Sequence, residues 1–94
     1  MGNEFKLLKI RNGKTIKIPV NYQHFLLTYS NNPEDHGWNR EDVEYILKCI
    51  QEGNLEDLNM DDNLMNDIGC FFEDGVCVEP NIEVAVFWYE QAIE

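Results

Sequence analysis

Residues 64–93 read Leu64-Met65-Asn66-Asp67-Ile68-Gly69-Cys70-Phe71-Phe72-Glu73-Asp74-Gly75, then Val76-Cys77-Val78-Glu79-Pro80-Asn81, then Ile82-Glu83-Val84-Ala85-Val86-Phe87-Trp88-Tyr89-Glu90-Gln91-Ala92-Ile93. The outer blocks have helical spacing and the middle block carries turn residues. Gly75 can end the first helix in the left-handed conformation, and Asn81 can cap the second by accepting from the next backbone amides. Gly69 sits inside the first helix, where glycine costs about 1 kcal/mol against alanine. Its missing side chain lets the second helix approach closely. On that second helix Ala85, Trp88 and Ala92 form one stripe, which lays the indole against the facing helix as a core anchor. Ile82, Val86, Tyr89 and Ile93 form a second stripe, and Glu83, Phe87, Glu90 and Glu94 mark the remaining arc. A helix apolar over so much of its circumference must bury a second surface.

This stretch, about a third of the chain, resembles a Sel1-like repeat, a relative of the tetratricopeptide repeat. The family pairs a Leu-Gly-x-x-Tyr-x-x-Gly helix end with a Gly-Val-x-x-Asp loop and an Ala-x-x-Trp-Tyr-x-x-Ala-Ala helix. Ile68 and Gly69 stand at its Leu-Gly, Phe72 at its aromatic position, Gly75 at its first loop glycine and Val78 at its valine. Ala85, Trp88, Tyr89 and Ala92 match the second helix outright. Cys77 replaces the second loop glycine, Asn81 the usual Asp, and Ile93 the final Ala. The resemblance implies a helical pair over residues 61–94 and an adaptor or scaffold role, with no catalytic residues and no cofactor.

The second stripe is therefore the expected partner-binding or stacking face: Ile82, Val86, Tyr89 and Ile93. Stacked repeats need neighbours or a polar cap over such a face. Three coverings are open: the front of the chain folding back, another protein, or further repeats of the same chain beyond Glu94.

Working outward, the clearest isolated helix spans residues 39–53. Asn39 can cap it with Asp42 three residues on, Val43, Ile46, Leu47 and Ile50 form its buried stripe, and Gly53 suits its C-terminal stop. Glu41, Glu44, Lys48 and Gln51 take the wet side, and Leu55 and Leu58 can add one more turn. Residues 31–37, rich in Asn, Pro and Gly, read as a connector without phosphate-loop spacing.

Residues 1–30 read as a basic β-hairpin followed by a short helix. Phe5–Ile10 and Thr15–Val20 flank Asn12-Gly13, and Asn-Gly suits a type I′ turn. A two-residue loop pairs Val20 with Phe5 and Ile18 with Leu7. The Leu7-Leu8 doublet breaks alternation and hints at a bulge. Pro19 confines its strand to an edge. Behind Asn21 as N-cap, Tyr22, Phe25, Leu26 and Tyr29 are spaced as one helical stripe.

The whole is one small domain of 94 residues and 11.0 kDa, α+β but mostly α, too short for a cleft between two lobes. Hydrophobic residues make up 44% of it, a globular rather than disordered composition. The net charge of −11 is unevenly spread. Residues 1–30 hold five bases (Lys6, Lys9, Arg11, Lys14, Lys17) and one acid, Glu4; residues 31–94 hold the other seventeen acids against Arg40 and Lys48. The overall sign opposes non-specific binding to nucleic acid or anionic membrane. The basic segment either docks on the acidic remainder or meets a partner of its own.

Reactive chemistry finds little support. Asp57-x-Asn59-x-Asp61 opens like a calcium loop, but Asp62 stands where the turn needs Gly and Ile68 where a bidentate Glu is required. His24 and His36 lack zinc-ligand spacing, and the lone serine, Ser30, has no nucleophile-elbow context. Cys49, Cys70 and Cys77 are odd in number, with no C-x-x-C pair, which points to reduced thiols. No eighteen-residue apolar run exists, and Met1–Lys6 lacks a secretory core, so the cytoplasm is the expected compartment, with export open if a signal peptide has been removed. The expectation is a non-catalytic protein–protein interaction module that buries apolar helix surface, with an acidic rim selecting a basic partner, and without metal, cofactor or small-molecule substrate. An alternative of another class is a small acidic inhibitor that mimics nucleic acid to block a basic enzyme.

Overall fold

A computed structural model of the chain describes residues 4–10, 13–28 and 32–93. Its N-terminal strands β1 (Phe5–Lys9) and β2 (Thr15–Pro19) form a two-stranded antiparallel hairpin. Three helices follow: α1 (Arg40–Glu52), α2 (Asp62–Asp74) and α3 (Ile82–Ile93). The fold is thus α+β and mostly helical.

The hairpin register differs by one residue from the expected one. Phe5 pairs with Pro19, Lys6 with Ile18, Leu7 with Lys17 and Leu8 with Ile16. The Ile10 amide donates to the Lys14 carbonyl at 2.8 Å, which leaves a three-residue loop ending at Gly13, φ 81°. Pairing from Phe5 to Lys9 is unbroken, so the expected bulge at Leu7-Leu8 is absent. A one-residue slip exchanges the faces of a strand. Leu8 and Ile10 consequently share the inner face with buried Ile16 and Ile18, while Phe5 and Leu7 point outward. Lys17 crosses that outer face with its Nζ 4.6 Å from the Phe5 ring centre.

The expected short helix after the hairpin is replaced by a single 3-10 turn, Val20–Gln23, with Pro19 rather than Asn21 at its N-cap. The turn ends at His24, φ −100° and ψ 85°, outside the helical region. Leu27 then forms an antiparallel bridge with Val78, and the Thr28 amide donates to the Cys77 carbonyl at 2.7 Å. Long-range strand pairing has overridden a local helical spacing. Leu26, assigned to the buried stripe, is 82% exposed, and Tyr29 lies outside the described residues. Gln51 and Gln23 pin this segment to α1, donating to the Phe25 and Ile50 carbonyls respectively.

Helix α1 starts as its sequence predicts. Asn39 Oδ1 accepts from the amides of Glu41 (2.9 Å) and Asp42 (3.3 Å), and Gly53 ends the helix at φ 76°. Val43, Leu47 and Ile50 are buried, joined by Cys49, while Ile46 is half-buried. Leu55 and Leu58 bury themselves in the connection to α2 without forming a further helix. The connector before α1 contains a 3-10 turn, Pro33–His36, after which Trp38 packs edge-on against Phe71 at 5.0 Å.

Helices α2 and α3 form an antiparallel pair. Asp61 caps α2 by accepting from the Leu64 amide at 2.8 Å, and Asn81 caps α3 by accepting from Val84 at 3.2 Å. Between them Gly75 closes α2 at φ 73°, and Val76, Cys77 and Val78 are buried. Cys77 has φ 64°, the only positive φ at a non-glycine residue among those described. An L side chain there is disfavoured by about 1–2 kcal/mol. The Cys77 side chain is nevertheless fully buried, its Sγ 3.7 Å from Arg40 Nη1. Burial pushes the thiol's pKa up, and Arg40 opposes that shift. This predicts an inverted order: Cys77→Gly should be at least as stable as Cys77→Ala in urea unfolding. At ordinary positions glycine is the less stable by 0.5–1 kcal/mol or so. A clear advantage for alanine would contradict the left-handed backbone at residue 77.

The hairpin meets the helical body near its tip, where Ile10, Lys14 and Ile16 share a cavity of about 530 Å³ with Met60, Asp61, Asp62 and Met65. Lys6, Lys9, Lys14 and Lys17 are all exposed.

Candidate apolar groove between the hairpin and the last helix

Helix α3 divides its residues between two environments. Val84, Ala85 and Trp88 are buried against the rest of the fold. On the opposite side Ile82, Val86 and Ile93 are 61%, 45% and 84% exposed. Of the four residues expected to form the partner face, three therefore share an open apolar ridge.

Tyr89, the fourth, turns toward α2. Its ring lies on Gly69, where an added Cβ would come within 2.4 Å of Tyr89 Cε1. Its hydroxyl donates to Glu73 Oε1 at 2.5 Å and sits 3.4 Å from Cys70 Sγ. Burial, followed by the bonds to Cys70 and Glu73, raises the phenol's pKa well above its usual value. Tyr89 thus acts as a clasp within the helix pair. Spacing alone placed it with Ile82 and Val86 because it lies between the two stripes.

Beside the ridge runs an apolar groove of about 420 Å³. Phe5, Pro19 and Tyr22 form one wall; Ile82, Val86 and Phe87 form the other, with Glu83 and Glu90 beside them on α3. Phe87, the apolar residue on the remaining arc of α3, meets Tyr22 edge-on at 5.5 Å and Trp88 at 5.3 Å. The hairpin thus reaches α3 through its end and the following turn, and leaves Ile82 and Val86 uncovered. Sequence reasoning missed Phe5 and Pro19 because the assumed register turned Phe5 inward. It missed Val84, which is buried but belonged to neither stripe.

No arrangement with evident reactive chemistry accompanies the groove. No group of three His, Cys, Asp or Glu side chains among the described residues is placed to hold a metal ion. Cys49 and Cys77 are buried free thiols and Cys70 is half-buried. Asp67 is the carboxyl with a raised pKa, through burial and then Asp61, and it lies on α2 away from the groove lining. No described helix is long and apolar enough to cross a membrane. In comparisons with protein-family models, curated proteins and solved structures, nothing matches this chain.

Proposed function

We propose that this chain is a non-catalytic protein–protein interaction module built on a Sel1-like helical pair, binding its partner through the outer side of α3. The observation that carries this reading is the ridge of Ile82, Val86 and Ile93, open to solvent on a helix whose other side is fully packed. Exposed apolar side chains along one helix side, next to a groove, suit a docking face. The repeat assignment is supported by the Gly69–Tyr89 clasp, the Asn81 cap and buried Trp88. It is supported also by Cys77, which holds a left-handed backbone where the family pattern carries glycine.

Val86→Glu tests the proposal, because Val86 is exposed enough for the variant to fold and central enough to spoil an apolar contact. In quantitative affinity capture, partners held by the wild type should be lost from Val86→Glu. They should also survive about 0.5 M salt, where exposed charges are screened beyond about 4–5 Å. Unchanged capture by the folded variant would remove α3 from the interface. Capture that collapses with salt in both proteins would instead favour the acidic mimic of nucleic acid.

A further inference from the structure

Resting on the interaction reading above, we infer that the groove between the hairpin and α3 receives a basic amphipathic helix of another protein. The first reason is the form of the α3 surface. Ile82 and Val86 stand one turn apart in the groove wall, and Ile93 stands two turns further along the same side of α3, beyond the groove; these apolar side chains can fit between the side-chain rows of a second helix lying along α3. The second reason is charge. Glu83 and Glu90 both line the groove, and no basic side chain lines it. They are seven residues apart, which places them about 10 Å apart along the α3 axis. A helix lying along α3 meets them with Lys or Arg at positions i and i+7, on the flank of an apolar stripe.

The same two glutamates disfavour a second copy as the occupant. An isologous α3–α3 contact would bring each copy's Glu83 and Glu90 toward the other's, and like charges across an interface oppose association.

The test uses the full chain and two synthetic eighteen-residue helical peptides with the same leucine stripe. One carries Lys at the two flanking positions seven residues apart, the other Glu. The lysine peptide should bind, and more tightly than the glutamate peptide. Glu83→Gln with Glu90→Gln should weaken lysine-peptide binding about three- to tenfold, as expected for two partly exposed ion pairs. Val86→Glu should abolish it. Equal affinity for both peptides, or no effect of the paired glutamine substitutions, overturns the basic partner while leaving an apolar docking face intact. Binding unaltered in Val86→Glu overturns the docking face as well. No binding of the lysine peptide at about 1 mM, the weak end of recognition, overturns the inference. So does a wild-type dimer in sedimentation that Val86→Glu makes monomeric.

Discussion

Gly69→Ala is expected to destabilise the chain by about 1–3 kcal/mol net, although alanine is the better helix former by about 1 kcal/mol. The sign follows from what the new methyl group meets. A Cβ at residue 69 would lie 2.4, 2.5 and 2.9 Å from Cε1, Cδ1 and Cζ of Tyr89. These atoms belong to one rigid ring held at its far end by Glu73. Rotating the ring away breaks the hydroxyl's bond to that carboxylate, and keeping it forces α2 and α3 apart. Overpacking of this kind costs about 1–3 kcal/mol, and loss of a hydrogen bond to an exposed carboxylate adds about 1 kcal/mol. Far-UV circular dichroism in urea measures the change. Tyr89→Ala in the same chain supplies the control: with the ring gone, Gly69→Ala should become neutral or stabilising. Additive losses in the double variant would show that the two residues do not touch.

The helices were legible because their end signals act locally. Asn39, Gly53, Gly75 and Asn81 each work through backbone groups a few residues away, and each occupies its expected place. The hairpin was legible in kind but not in register, for a reason visible in β1. One side of that strand offers Phe5, Leu7 and Lys9; the other offers Lys6, Leu8 and Ile10. Each side carries two apolar residues and one lysine, so alternation cannot choose between them. The loop length decides, and a three-residue loop ending at Gly13 turns Leu8 and Ile10 inward. The groove inherits that ambiguity, since this register sets Phe5 opposite Pro19 and both form part of its wall. Residues 24–28 illustrate the opposite failure. Their spacing suits a helix, but Leu27 instead bridges to Val78, about fifty residues later. No local pattern encodes that pairing. The exposed ridge on α3 was legible because a surplus of apolar circumference is counted from the helix's own residues.

Trp88→Ala is expected to cost about 3–5 kcal/mol, the usual range for truncating a large buried aromatic. A domain of this length has a stability of about 5–14 kcal/mol, so the variant should be marginal at 37 °C. Trp88 is fully buried on α3, and Phe87 packs against it edge-on. Phe87 in turn holds Tyr22 at the root of the hairpin. The cavity left by the indole therefore undermines both the α2–α3 pair and the contact that forms one end of the groove. Trp88→Phe separates packing from polarity. The indole Nε1 is buried without a hydrogen-bond acceptor among the described residues, and such an unmet donor costs about 1–3 kcal/mol. Replacing it by a phenyl ring relieves that penalty while giving up one ring of packing. Trp88→Phe should consequently lose less than about 2 kcal/mol. Equilibrium unfolding of both variants, followed by circular dichroism and by the remaining Trp38 fluorescence, measures the two effects. A Trp88→Ala loss below about 1 kcal/mol, the scale of surface substitutions, would mean that the indole does not anchor the helix pair. The α3 ridge would then have no rigid support from which to bind a partner.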